Sequence, residues 1–344
     1  MRVLHIVGGL DAGGIEYWLK GYFEYLKKDV DIKMNVFSCN NMQTSLMDGL
    51  TFNKDNVIAP KGSSLFSVIN TYIKELKSER YDVIQCHTDL STSYFFILAK
   101  LFSNAKLVAH SHTDRRKLEE NLPFYRKCYR KFARYIIAKI SDVNVAVSKA
   151  AGESLYINDY VVEYCGVSVI KQSVAESILK LDNKKIIFHV GRMSKPKNHV
   201  FALDLANKFQ NMPDYHFVFI GGGEDENKVL NYKDELKLNN VSFLGHRNDV
   251  HALLQGHNGV VILPSLWEGL PLVLVEAQKC GRYCVASDFV TKEANIGGVE
   301  YLPLELSLWK EKLLALDFYA TFEIENSNVF SYESNYNFFM DHYK

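Results

Sequence analysis

GVVILPSLWEGLPLVLVEAQKCGRYCVA, residues Gly259–Ala286, is the stretch whose reading decides the fold. It opens on a short β-branched run, Gly259–Leu263, and closes on another, Tyr283–Ala286. Between them a helix is expected from about Pro271 to Gly281, because proline suits the first helical position and glycine the residue just past the end. Strand, helix and strand in this order form one unit of a parallel sheet covered by helices.

The same alternation extends outward in both directions. Toward the C-terminal half it runs through Ile186–Val190, His216–Ile220 and Val241–Leu244. In the first half it runs through Val3–Val7, Met34–Ser38, Val83–Cys86, Leu107–His110 and Val143–Val147, with Ile15–Leu26 at helical spacing. The pattern stops and restarts across a polar stretch, Lys171–Asn183. The expected fold is therefore α/β, with two Rossmann-like doubly wound domains facing each other across a cleft. Their expected limits are 1–170 and 185–320, with a linker at 171–184 and a tail at 321–344. Ser331–Lys344 reads as a final helix that packs back across the domain junction. Sheets of this kind bind ligands beyond the carboxyl ends of their strands, and facing domains place the main pocket between them.

Bulk properties narrow the classes. A chain of 344 residues suggests two domains at about 100–200 residues each. Forty basic and forty acidic residues cancel, so no nucleic-acid partner is implied. Six scattered cysteines form neither a CxxC pair nor a zinc spacing, and Cys280 and Cys284 read as buried apolar residues, pointing to a reducing compartment. MRVLHIVGG reads as a first buried strand rather than a secretory signal, and nothing approaches the ~18 apolar residues of a membrane span. A cytoplasmic protein is expected, either free or peripheral on the inner membrane face.

Three loops carry chemistry. VGGLDAGGIE, residues 7–16, follows the first strand. Its glycines permit close backbone approach, and the helix behind it favours a phosphate. It is not GxGxxG, and although Gly9 and Gly14 have P-loop spacing, Ile15 stands where the lysine would be. A glycine turn without a ligand is the alternative. FHVGRMSKPKNH places Arg192 and Lys197 five residues apart beyond a strand end. A diphosphate leaving group calls for such a pair, a rigid fork of donors and a mobile point charge, whereas solvated loop cations are the ordinary alternative. In the opening stretch Glu276 follows Glu268 by eight positions, about 80° apart on a continuous helix. With the helix starting near Pro271, Glu268 lies in the loop before it and Glu276 in its second turn. The amides of Leu272 and Val273 then point at a ligand phosphate, one acid reaches sugar hydroxyls and the other a ribose. A glycosidase acid–nucleophile pair is the rival, but it has no anionic leaving group to explain the two cations.

Taken together and in order, these segments resemble the family 4 retaining glycosyltransferases of the GT-B fold, over nearly the whole chain. The resemblance runs through Gly13-Gly14-Ile15-Glu16, His110-Ser111-His112, Val147-Ser148, Gly191-Arg192 with Lys197-Asn198, Gly221-Gly222-Gly223-Glu224, Phe243-Leu244-Gly245, and Glu268 to Glu276. The nearest likeness is to bacterial exopolysaccharide and capsule enzymes. It implies that Arg192 and Lys197 hold the diphosphate and that Glu268, with Gly269 and Leu270, contacts the donor sugar. Glu276 would bond the ribose, and Leu244, Gly245, His246 and Arg247 would flank the base. Gly13 and Gly14 would admit the phosphates, and His112 would lie beside the sugar. His110 and Glu16 are expected on the acceptor side. Tyr17 and Tyr164-Cys165-Gly166 depart from the family pattern, as does the short segment after Glu305.

The implied reaction transfers a sugar with retention from a nucleoside diphosphate, UDP in the first instance, to a glycan or lipid-linked glycan. The nucleotide sugar is a co-substrate. No cofactor and no metal are expected, since two fixed cations can replace a metal at the phosphates. A nucleotide-sugar epimerase and a non-catalytic nucleotide-sugar binding protein are the alternatives. Arg115–Lys139 carries nine basic residues interleaved with aromatic ones, which suits peripheral contact with an anionic membrane or a solvated helix face.

Overall fold

The computed structural model describes residues 1–10, 13–29, 31–40, 56–62, 64–119, 122–169, 181 and 184–344. The chain forms two units, one of Met1–Gly166 with Val329–Lys344 and one of Val167–Asn328. The linker expected at 171–184 falls largely outside the described residues. All six cysteines are free thiols, with Cys280 and Cys284 buried.

The first unit contains β1 (Arg2–Val7), β2 (Lys33–Ser38), β3 (Val57–Ile58), β4 (Val83–Cys86), β5 (Lys106–Ser111), β6 (Val143–Ala146) and β7 (Val161–Val162). They form one parallel sheet in the order β3-β2-β1-β4-β5-β6-β7. Its helices are α1 (Gly14–Leu26), α2 (Leu65–Ser78), α3 (Thr92–Phe102), α4 (Arg116–Glu119), α5 (Phe124–Ile140) and α6 (Lys149–Leu155). Ser64 and Ser148 cap α2 and α6 by accepting from the amides of Ser67 and Ala151. Val3, Leu4, Ile6 and Val7 are fully enclosed, as a central strand covered on both faces requires.

The second unit repeats the design. It contains β8 (Lys185–Val190), β9 (Tyr215–Ile220), β10 (Val241–Phe243), β11 (Gly259–Leu263), β12 (Cys284–Ser287) and β13 (Val299–Leu302), in the order β10-β9-β8-β11-β12-β13. Around this sheet lie α7 (His199–Lys208), α8 (Glu226–Glu235), α9 (Val250–Gly256), α10 (Leu272–Lys279) and α11 (Leu306–Ala315). Phe209, Phe217, Phe219, Ile262 and Trp309 fill the space between sheet and helices. In each sheet the strand order reverses beside the first strand, between β1 and β4 and between β8 and β11. These reversals are the topological switch points at which doubly wound sheets take ligands.

The alternating pattern locates ten of these strands. The edge strands β3 and β7, of two residues each, and the terminal β13 do not register in it. The helix expected from Pro271 begins one residue later with Pro271 as its cap, and Gly281 follows its end at φ +74°, the left-handed geometry that favours glycine. The tail forms α12 (Tyr332–Tyr343), which packs within the first unit against α1. Asn335 fixes it there. Its Oδ1 accepts from Trp18 Nε1 at 2.8 Å and from the Gly166 amide at 2.7 Å, while its Nδ2 donates to Glu163 Oε1 at 2.6 Å and to the Tyr164 carbonyl at 2.7 Å.

Candidate functional site

At the switch point of the second unit β8 ends in Gly191, and the chain turns through a short 3-10 helix at Lys195–Lys197. Asn198 closes that turn in the left-handed region at φ +52°. Its side-chain amide donates to the Pro264 carbonyl at 3.0 Å, and the Leu266 amide donates to the Pro196 carbonyl at 2.8 Å. Two loops distant in sequence, one beyond β8 and one beyond β11, are thus bonded to each other.

That stitching brings Lys197 to Glu268. Lys197 Nζ lies 2.7 Å from Glu268 Oε1, with only 18% and 14% of the two side chains exposed. Ser265 Oγ donates to the same oxygen at 2.8 Å. Arg192 stands at the mouth of the loop, its Nε 2.8 Å from Glu224 Oε2. Glu224 closes the glycine run that follows β9, and nothing in the sequence pattern marks it as the partner of Arg192. Leu272 and Val273 begin α10, where helical geometry leaves amides without an intrahelical acceptor. Glu276 sits one turn further on, partly exposed, with His251 Nε2 at 3.8 Å.

The glycine run after β9 packs backbone on backbone against this loop. The Met193 amide donates to the Gly222 carbonyl at 2.9 Å and the Gly221 amide to the Gly245 carbonyl at 2.8 Å. Gly221 has φ +136°, and a Cβ there would collide with the Gly191 carbonyl. Gly221→Ala is therefore expected to disrupt the Arg192 loop and to cost at least about 2 kcal/mol. Chemical denaturation and nucleotide binding, measured together, check it. An alanine variant with unchanged values of both would count against the packing. Leu244 and Gly245 lie in the same assembly through these bonds, but the Arg247 guanidinium is held by Asp249 through contacts of 2.8 and 2.6 Å.

In the first unit Gly13 caps α1, and the Glu16 carboxylate folds back to where a Gly13 side chain would lie. Glu16 thus serves the helix terminus, a favourable place for an acid. Asp11 and Ala12 of that loop lie outside the described residues. His110 is buried at the end of β5, and His112 is partly exposed just beyond it. Sequence reasoning misses their neighbours. His87 Nδ1 lies 2.8 Å from His112 Nε2, His5 Nδ1 lies 3.0 Å from His87 Nε2, and Gln85 Nε2 lies 2.9 Å from His110 Nδ1. Burial pulls His5 and His112 down to about 3 and holds His87 and His110 well below the ordinary imidazole range, so all four are neutral at pH 7. Among the described residues His87, His110 and His112 are the group able to hold a metal ion, with one ring nitrogen from each within 4.8 Å of the others.

The basic stretch 115–139 is not one patch. Arg115 pairs with Asp89, Arg116 with Asp114 and Glu153, and Arg130 and Arg134 with Glu119. Arg126, Lys131 and Lys139 remain exposed beside Phe124, Tyr125, Tyr129, Phe132 and Tyr135. No helix among the described residues is long and apolar enough to cross a membrane.

Two sheets of Rossmann order, the second with a cationic loop and an acid-bearing loop bonded together at its switch point, make up an α/β GT-B fold. Residues 13–168 match the model of Glycosyltransferase Family 4 and residues 171–296 that of Glycosyl transferases group 1. The chain is thus a glycosyltransferase that carries both of these family domains. It is 27% identical to a Bacillus subtilis protein named as glycosyltransferase EpsF, over 91% of this chain and 86% of that one. It is 29% identical to an Escherichia coli UDP-Gal:alpha-D-GlcNAc-diphosphoundecaprenol alpha-1,3-galactosyltransferase, over 64% of this chain and 61% of that one. Among solved structures, Anabaena HepE in complex with UDP-glucose superposes with a TM-score of 0.75 at 19% identity, covering 91% of this chain and 89% of that one.

Proposed function

We propose that this glycosyltransferase moves a sugar, with retention, from a UDP-sugar to a hydroxyl of a glycan or lipid-linked glycan during bacterial surface-polysaccharide synthesis. The observation that carries the reading is the Lys197–Glu268 pair at the switch point, with Arg192 in the same loop. Lys197, Arg192 and the α10 amides take up charge as the diphosphate leaves. Glu268 accepts from sugar hydroxyls, with Gly269 and Leu270 beside it. Glu276 accepts from the ribose, the Leu244–Arg247 loop serves the base, and His112 bonds the transferred sugar. Fixed cations do a metal's work at the phosphates, so turnover continues in a chelator. The relatives support the donor and acceptor classes, since one is named for a UDP-galactose donor and a diphosphoundecaprenol acceptor.

Incubation with a panel of nucleotide sugars, read by NMR, tests the reading. Transfer or slow hydrolysis with the donor's anomeric configuration kept is expected. An inverted product would overturn retention, and free epimerised sugar would overturn transfer.

We also propose that the exposed face of α5 rests on anionic lipid on the cytoplasmic side of the membrane. Phe124 is 82% exposed and Tyr125 67%, next to the exposed Arg126, Lys131 and Lys139, which form no ion pair with an acid among the described residues. Co-sedimentation with anionic vesicles is expected to be lost when Arg126, Lys131 and Lys139 are replaced by glutamate. Binding that persists in that triple variant would rule the surface out.

A further inference from the structure

Three histidines of the first unit, His5, His87 and His112, form a directional chain. A neutral imidazole has one N–H and one lone pair. With His5 Nδ1 against His87 Nε2 and His87 Nδ1 against His112 Nε2, only two proton arrangements are self-consistent. In the outward one each ring carries its proton on Nδ1 and donates from His5 through His87 to His112. In the inward one each ring carries it on Nε2 and donates the other way. The inward arrangement places a proton on His5 Nε2, a buried atom with no partner among the described residues. An unmade buried donor of that kind costs about 1–3 kcal/mol. The outward arrangement leaves a lone pair there instead, the more tolerable orphan. It also leaves His112 with an Nδ1–H whose neighbour is the Cys165 sulfur at 4.0 Å, a weak acceptor that a ligand oxygen would displace.

We infer that His5 and His87 hold His112 as its Nδ1–H tautomer, so that His112 meets a ligand as a hydrogen-bond donor and not as a general base. His87 is then a positioning residue. Trp18 packs against the His87, His110 and His112 rings at centroid distances of 5.5–5.7 Å and restricts their rotation. The same bookkeeping argues against an ion at these rings. A metal on His87 Nδ1 would push that ring's proton to Nε2 and force the unpartnered proton onto His5 Nε2. The catalytic half of the inference rests on the proposed contact of His112 with the transferred sugar.

Nitrogen NMR of the full chain labelled at histidine tests the tautomer, independently of any donor. His112 is expected to show a protonated Nδ1 and an unprotonated Nε2. The reverse pattern would overturn the inference, as would joint shifts of His87, His110 and His112 with one equivalent of Zn²⁺. His87→Leu, which cannot donate, should abolish the single tautomer and lower kcat about tenfold, the worth of one hydrogen bond, with donor KM within about twofold. His87→Gln, whose amide can still donate to Nε2, should restore both. An unchanged tautomer in His87→Leu would overturn the relay. A lost tautomer with unchanged kcat would instead remove the proposed role of His112. Should His87→Leu fail to fold, the wild-type spectrum and His87→Gln decide the tautomer.

Discussion

Lys197→Ala is expected to slow donor turnover about 10²–10³-fold, the largest effect of any single substitution in the loop beyond β8. The ammonium is held in place by the Glu268 carboxylate at 2.7 Å and lies in a turn bonded to the loop beyond β11. On the proposed mechanism its removal takes away the charge that meets the departing phosphate, and it leaves Glu268 with Ser265 as its described partner. Lys197→Arg should recover only a part, because a planar guanidinium cannot occupy the space of a point charge between those loops. Steady-state release of nucleoside diphosphate measures both. A kcat within about threefold of wild type for Lys197→Ala would remove the lysine from the leaving-group machinery.

Asn335→Leu is expected to be the most damaging change outside that loop. Every hydrogen-bonding position of this buried amide is used, and its partners come from α1 and from the strand-end segment Glu163–Gly166. Leucine keeps the branched side-chain skeleton but takes a hydrogen-bond partner from the Trp18 and Gly166 donors and from the Glu163 and Tyr164 acceptors. At about 1 kcal/mol for each lost bond the cost is about 4 kcal/mol. For a unit of this size that lowers Tm by roughly 8–16 °C. Calorimetry of the full chain should show the shift in the transition of the unit containing α12. A shift below about 3 °C would mean that α12 is held mainly by its aromatic contacts instead.

The residues that lie close in sequence are the ones the sequence reveals. The βαβ unit around Pro271 and Gly281 was readable because proline, glycine and a run of buried aliphatics all specify the same element. Glu268 and Glu276 separate into loop and helix for the same reason. What stayed hidden depends on contacts across long stretches of chain. His5, His87 and His112 meet because β1, β4 and β5 are neighbours in the sheet, and no spacing in the sequence encodes that order. Glu224 pairs with Arg192 across 32 residues for the same reason. Arg130 and Arg134 look like members of a basic surface in the sequence, and only the fold shows that both turn to Glu119. A two-residue strand such as β7 has too few side chains to carry a pattern and is recognisable only from its neighbour β6.

The central claim is that Glu268 grips the donor rather than moving a proton. Release of nucleoside diphosphate from a panel of UDP- and GDP-sugars, by wild type and Glu268→Gln across a range of pH, tests it most directly. At least one donor should be turned over by the wild type, and the glutamine variant should be slower by at least about a hundredfold with its pH optimum unmoved. A shifted optimum, an undiminished rate in Glu268→Gln, or no release from any nucleotide sugar would contradict it.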